Sequence, residues 1–234
     1  MVYGVILAGG VGSRMGNAEK PKQFLLLGNK PLIIHTIEKF SVHPEIDRVV
    51  VLSPAQWVTY TQGLIEKHLP GEEIPVLAGG DTRNETLMNA IRYIETQPGS
   101  DENTIIVTHD AVRPFVTSRI ISENIEAAKK YGATDTVIGA TDTIVVSKNH
   151  KTIDEIPERP TMYQGQTPQS FRMQRVKELY EGLTDEEKEI LTDACKIMVM
   201  KGDPVHLVEG EVFNIKITYP YDLKVAEALL TEER

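Results

Sequence analysis

Cysteine is nearly absent from this chain: Cys195 is the only one in 234 residues. A single thiol excludes an internal disulfide framework and fits a reducing compartment, here expected to be the cytoplasm. Long apolar runs are missing as well, so no membrane insertion is expected. The first residues lack a basic segment and read as a strand rather than a signal peptide. Aromatic residues make up 6% of the chain, with one tryptophan. Trp57 and Tyr60 form a lone pair that suits helix packing better than base stacking. Positive charge is also short, with 25 Lys and Arg against 34 Asp and Glu, a formal net charge of -9. Such a chain repels nucleic acid, and any phosphate binding must come from a local basic cluster. Internal repeats, low-complexity tracts and Pro/Ser linkers are absent, so a single domain over residues 1–234 is expected.

What is present is an alternation of short β-branched runs with helical patterns. Strands are expected at Val2–Leu7, Arg48–Leu52, Ile74–Leu77, Thr104–Thr108, Thr136–Ile138 and Val205–Val208. Helices are expected at Pro31–Phe40, Gln56–Leu69, Asn84–Glu95, Ser118–Tyr131, Met173–Gly182, Glu186–Met200 and Asp222–Leu230. The alternation predicts a layered α/β fold with a mainly parallel sheet. Residues 140–166 break the pattern. Thr143–Ser147, a polar turn and Thr152–Ile156 read as a β-hairpin arm leaving the core. An arm of that length suggests pairing with another subunit or cover for a site, rather than an ordinary surface hairpin.

The first strand runs into "LAGGVGSRMG". A P-loop would need Lys-Ser/Thr after the glycines, and none follows. A dinucleotide loop would need G-x-G-x-x-G; Gly10, Gly12 and Gly16 are spaced one residue too long. The second strand ends "VVVLSPA", without the acidic residue that would hold a ribose. That combination disfavours a dehydrogenase. A mononucleotide loop accounts for more, because Arg14 and Lys22 would meet the phosphates that its backbone N–H groups receive. A plain strand-to-helix turn would explain the glycines but not the basic residues.

The motif Leu7-Ala8-Gly9-Gly10-x-Gly12-x-Arg14-Met15, followed by Pro21-Lys22-Gln23, resembles the sugar nucleotidyltransferases. Within them it is similar to the 2-C-methyl-D-erythritol 4-phosphate cytidylyltransferase-like family, which includes D-ribitol 5-phosphate cytidylyltransferases. The likeness continues in order through "GGDTRNET" (79–86), "THDAVRPF" (108–115), "DTI" (142–144), "YQGQTPQSF" (163–171), "LTDACK" (191–196) and "NIKIT" (214–218). It implies a nucleotide-binding, Rossmann-like α/β/α sandwich with a protruding dimerisation arm. The wording of the first loop, of "YQGQTPQSF" and of "TDACKI" is closer to the ribitol-phosphate group. The implied reaction joins CTP and D-ribitol 5-phosphate into CDP-ribitol and pyrophosphate, for ribitol-phosphate teichoic acids. 2-C-Methyl-D-erythritol 4-phosphate is the alternative acceptor.

The same resemblance assigns roles. Arg14 and Lys22 are the implied catalytic cations. Leu7, Ala8, Gly9, Gly10, Gly12, Gly80, Asp81, Arg83 and Thr86 would hold the nucleotide, and Asp110 would bind Mg²⁺. Arg159, Lys216, Thr143 and Thr167 would hold the acceptor phosphate, with Thr192 a weaker candidate. A homodimer through the arm and a ribulose-5-phosphate reductase of the alcohol dehydrogenase type are the implied partners. A hexose-phosphate uridylyl- or guanylyltransferase would share the first loop without Arg159 and "NIKIT". A non-catalytic sensor would be expected to have lost Arg14, Lys22 or Asp110, and all three are present.

Competing structural readings attach to several residues. Asp81 or Thr82 could simply cap a helix. On an exposed arm, Arg159 could pair with Glu155 or Glu158. His109 reads as structural, because a phosphate monoester nucleophile is already anionic and needs no general base. His150 lies in a polar turn and reads as solvent-facing. Thr184 and Glu187 form a capping-box pattern on a solvated charge run, and Cys195 reads as core packing.

Overall fold

The computed structural model of the chain describes residues 1–10 and 20–232. Its strands are β1 (Val2–Leu7), β2 (Leu26–Leu27), β3 (Lys30–Pro31), β4 (Arg48–Ser53), β5 (Val76–Ala78), β6 (Ile105–Asp110), β7 (Ala133–Gly139), β8 (Tyr163–Arg172) and β9 (His206–Glu209). Its helices are α1 (Leu32–Ser41), α2 (Val58–His68), α3 (Arg83–Glu95), α4 (Ser118–Tyr131), α5 (Met173–Glu181), α6 (Asp185–Glu189), α7 (Ala194–Met200) and α8 (Pro220–Glu232).

Seven strands form one sheet in the order β5-β4-β1-β6-β8-β7-β9. β1 pairs in parallel with β4 and β6. β8 runs antiparallel to its neighbours β6 and β7. Both faces are covered, which explains why β1 is apolar throughout rather than alternating. Val2 and Ile6 face α1, α2 and α4, where Ile33, Ile37, Phe40, Ile65, Ile121 and Ile125 pack. Tyr3, Val5 and Leu7 face α3, α5 and α7, against Leu87, Ile91, Val176 and Ile197. This is the three-layer sandwich with a mainly parallel sheet that the sequence predicts. α8 closes a smaller cluster through Ala226, with Leu27, Leu32 and Ile217.

Besides the short β2–β3 pair, which takes Pro31 from the expected helix, the structure differs from expectation chiefly in three places. β8 is the longest strand, at 10 residues, and the sequence pattern does not predict it. Gly165 and Pro168 argue against a central strand. A register shift in β7 between Asp135 and Val137 accommodates the proline. There Thr136 Oγ1 donates to the Pro168 carbonyl at 2.6 Å, and Asn124 Nδ2 donates to Thr136 Oγ1 at 2.9 Å. Side chains thus supply hydrogen bonds where the ladder is interrupted.

The helix expected at Glu186–Met200 is two helices, because Asp193 caps α7 by accepting the Lys196 N–H at 2.9 Å. The arm is shorter than expected, since residues 163–166 belong to β8. Its two sides meet at a bridge between Val146 and Glu155. Asn149 Oδ1 closes the turn by accepting the N–H groups of Lys151 and Thr152, each at 2.9 Å.

Gly63 lies exposed inside α2, and a Cβ there would meet nothing within 4 Å. Gly63→Ala is therefore expected to stabilise the protein by about 0.5–1 kcal/mol, through helix propensity and reduced unfolded-state freedom. A rise of about 1–4 °C in the thermal midpoint, with unchanged turnover, would show it.

Candidate active site at the C-terminal edge of the sheet

The ends of β1 and β6 lie side by side, with Leu7 in register with Asp110. Ligands of open α/β sheets collect at this edge. The Ala8 N–H donates to the Leu52 carbonyl at 2.8 Å, holding the exit from β1 against β4. Gly9 and Gly10 follow, both exposed. With Leu7, residues 80–83, Thr86, Asp110 and Lys216 they border a cleft of about 390 Å³. Most of the residues expected to bind nucleotide therefore converge on one concavity.

The 79–82 loop owes its position to α3. Thr82 caps the helix, and Thr82 with Glu85 completes a reciprocal capping box. The Thr86 hydroxyl donates to the Thr82 carbonyl at 2.8 Å and accepts the Gly80 N–H at 3.0 Å. A Cβ on Gly80 would lie 2.5 Å from Glu85 Cβ, so only glycine allows the loop to lie this close. Capping thus falls to Thr82, and Asp81 is left exposed at the cleft.

Asp110 is the electrostatic centre. Lys216 Nζ lies 2.9 Å from its carboxylate, Arg83 Nη2 3.4 Å and Arg113 Nε 3.5 Å. Burial would raise the pKa of Asp110, but the charges of Arg83, Lys216 and Arg113 outweigh it. They hold the carboxyl well below the usual range. One anion therefore gathers cations from α3, from the turn after β6 and from the 214–218 segment. Arg113 also donates to the Asn214 carbonyl at 2.8 Å, and the Ile217 N–H donates to the Val112 carbonyl at 3.0 Å. These bonds bring Lys216 to the cleft. Pairing between Asp110 and Lys216, which the sequence motifs assign to separate tasks, is not legible from spacing.

His109 is fully buried behind Asp110, with burial pushing its pKa down to about 4. Its Nε2–H donates to the Arg113 carbonyl at 3.0 Å. Its Nδ1 then accepts the Thr167 hydroxyl at 2.9 Å, and Thr167 Oγ1 accepts the Asp110 N–H at 3.2 Å. His109 is structural, as expected. Thr167 is 3% exposed, so its hydroxyl supports Asp110 from behind instead of facing an acceptor phosphate.

Lys22 opens a short 3-10 turn, Lys22–Phe24, and is itself buried. Gln23 Nε2 donates to the Ala8 carbonyl at 2.7 Å, tying this turn to the start of the glycine loop. Trp57 and Tyr60 pack on Phe24 at ring-centroid distances of 5.3 and 5.1 Å, the helix-packing role expected of them. Arg14 and Gly12 lie outside the described residues. Thr143 and Arg159 are exposed on the arm and do not border the cleft. Arg159 Nη1 donates to the Thr141 carbonyl at 3.3 Å. Among the described residues, no group of three or more acidic, histidine or cysteine side chains is placed to hold a metal.

Sequence reasoning passed over a second acidic group. Gln169 Nε2 bridges Asp135 and Asp193, at 3.1 Å to each. An acid inside the apolar alternation of residues 133–139 was the available signal, but the expected strand began one residue beyond it.

The solved structures most usefully compared share the whole architecture. 4-Diphosphocytidyl-2C-methyl-D-erythritol synthase from Anaerococcus prevotii superposes with a TM-score of 0.80 at 25% identity, covering 98% of this chain and 96% of that one. 2-C-Methyl-D-erythritol 4-phosphate cytidylyltransferase from Thermus thermophilus gives 0.74 at 27% identity, over 99% and 100%. The Francisella tularensis cytidylyltransferase of that name gives 0.78 at 25%, over 97% and 98%. The family model described as IspD, 2-C-methyl-D-erythritol 4-phosphate cytidylyltransferase, matches residues 2–232. With the cation-ringed Asp110 beside a glycine loop at the strand ends, this match makes the chain a member of the IspD family and a CTP-dependent cytidylyltransferase.

Proposed function

We propose that the chain transfers the cytidylyl group of CTP to D-ribitol 5-phosphate, releasing pyrophosphate. The observation that carries the chemistry is the convergence of Arg83, Arg113 and Lys216 on Asp110 beside the glycine loop. An in-line attack by a phosphate monoester oxygen on the α-phosphorus of CTP brings two polyanions together. Fixed cations lower that repulsion and stabilise the charge growing on the leaving pyrophosphate. Arg14 and Lys22 are the groups assigned to that charge. The backbone of Gly9, Gly10, Gly12 and Gly80 receives the nucleotide, together with Leu7, Ala8, Asp81, Arg83 and Thr86.

Asp110 would hold Mg²⁺ together with triphosphate oxygens, a donor set that suits an ion bound by few carboxylates. Its strongly ionised state fits that role. When bound, the ion supplies further neutralisation of the triphosphate.

Lys216 would hold the acceptor phosphate. Arg159 and Thr143 would do so from the arm of a second copy, since they lie away from the cleft of their own chain. Exposed Val145, Ile153 and Ile156 on the arm support such a homodimer. The ribitol reading rests on the wording of the first loop, of residues 163–171 and of 192–197. It places the product in teichoic acid synthesis in the cytoplasm, supplied by a ribulose-5-phosphate reductase. The names of the superposed structures favour 2-C-methyl-D-erythritol 4-phosphate as acceptor equally.

Pyrophosphate release with CTP and Mg²⁺ separates the two. Turnover with D-ribitol 5-phosphate alone is the expected result, and turnover only with the methylerythritol ester overturns the acceptor assignment. Arg14→Ala and Lys22→Ala are each expected to lower the rate by roughly 10²–10³.

A further inference from the structure

We infer that Asp135 and Asp193, held by the Gln169 amide, form a wall that recognises hydroxyl groups of a polyol phosphate acceptor. The inference rests on the cytidylyltransferase reading and on the acceptor being a polyol ester.

Gln169 lies one row inward from Asp110, in register with Thr108 on β6 and Asp135 on β7. It is 2% exposed. Its Nε2 directs both hydrogens to carboxylates, Asp135 Oδ1 and Asp193 Oδ2. Its Oε1 is buried and has no hydrogen-bond partner among the described residues. Gly165 faces Asp135 from β8, where even a Cβ would stay 3.6 Å from Asp135 Oδ2.

The arrangement is costly as a clasp. Two like charges share one neutral amide, and no cation forms an ion pair with either carboxylate among the described residues. Burial, reinforced by Asp193, pushes the Asp135 carboxyl up to about 6. Burial and these two acids also push up the Cys195 thiol, whose Sγ donates to the Thr134 carbonyl at 3.7 Å. Asp135 also feels the charges of Arg83 and Arg113, the cations that ring Asp110, and a perturbed acid next to such a cluster is common at functional sites.

The chemistry of the wall selects its ligand. Both carboxylates and the orphaned amide oxygen are hydrogen-bond acceptors, so the wall calls for donors without negative charge. The hydroxyl groups of a polyol meet that description. Its phosphate would be repelled from Asp135 and drawn toward Lys216, Arg83 and Arg113. Arg83 spans the two regions: Nη2 reaches Asp110, while Nη1 is buried with no hydrogen-bond partner among the described residues. Ribitol offers this wall one more hydroxyl than 2-C-methylerythritol, which carries a methyl branch instead.

The test compares D-ribitol 5-phosphate with analogues each lacking one hydroxyl, in wild type and in Asp135→Asn. Wild type is expected to discriminate against at least one analogue by about 10–100-fold in kcat/KM, as for a hydrogen bond to a charged group. In Asp135→Asn that ratio should fall toward one, the acceptor KM should rise about tenfold, and the KM for CTP should stay within about twofold. Unchanged discrimination, or equal losses on both substrates, overturns the inference and leaves a structural clasp. Asp193→Asn, which keeps a good N-cap for α7, gives a second reading if Asp135→Asn does not fold. Wild-type turnover only with the methylerythritol ester would refute the ribitol assignment. The same comparison with that ester and its deoxy analogues would still judge the wall.

Discussion

Asp110→Asn is expected to lose both activity and stability. The substitution keeps the shape and removes the charge, so Arg83, Arg113 and Lys216 face one another without an anion. Removing one partner of a buried charge cluster typically costs about 3–5 kcal/mol. Lys216 is 41% exposed and can turn toward water, which favours the lower end, about 3 kcal/mol. For a chain of this size that is a fall of roughly 6–12 °C in the thermal midpoint. Pyrophosphate release should drop by roughly 10²–10³, since these cations are the preorganised field of the site.

The pH dependence has a definite sign. The folded-state pKa of Asp110 is depressed, so its stabilisation is present above the unfolded value of about 4. It is lost as pH falls below that value. The gap in thermal midpoint between wild type and Asp110→Asn should therefore be full at pH 7 and narrow below about pH 4. A variant that melts with wild type at pH 7, or turns over at its rate, would falsify the central role of Asp110.

Gly80→Ala tests the other wall of the cleft. The added methyl would meet Glu85 Cβ at 2.5 Å and the Glu85 carbonyl carbon at 3.1 Å. Neither is the far end of a flexible side chain, so the loop must move away from α3. Overpacking of this kind costs about 1–3 kcal/mol. The functional cost should be larger, because Gly80 and the loop behind it would leave the cleft. A KM for CTP raised tenfold or more, with a smaller change in the acceptor KM, is the expected outcome of steady-state kinetics. A wild-type KM for CTP would show that the loop does not contact the nucleotide.

The sequence disclosed most where one local rule sufficed. β1 and α4 have their expected bounds, because a doubly buried apolar run and an amphipathic pattern closed by Gly132 are local signals. The glycine-lined wall of the cleft was equally legible, since Gly9, Gly10, Gly80 and Thr86 fall in short contiguous motifs. β8 was hidden because its polar residues are satisfied by partners far along the chain. Thr167 needs His109, Gln169 needs Asp135 and Asp193, and Ser170 meets Asn124. The pairing of Lys216 with Asp110 was hidden for the same reason. Each residue suggested its own ligand, and only the fold shows that they meet.

The position of β8 also sets an order of events during synthesis. In the sheet, β7 lies between β8 and β9, both made after it. As the chain emerges, β6 presents a bare edge and β7 has no neighbour until residues 163–172 follow. The bond from Arg113 to Asn214 spans 101 residues, roughly 5–20 s of translation at about 5–20 residues per second. Throughout that interval the glycine-lined wall of the cleft can be complete while Lys216, which closes it, has yet to be added. Until β8 is made, the unpaired edge of β6 is an invitation to wrong pairing. Cover for the edge of β6 thus arrives with β8, well before Lys216 completes the cluster around Asp110.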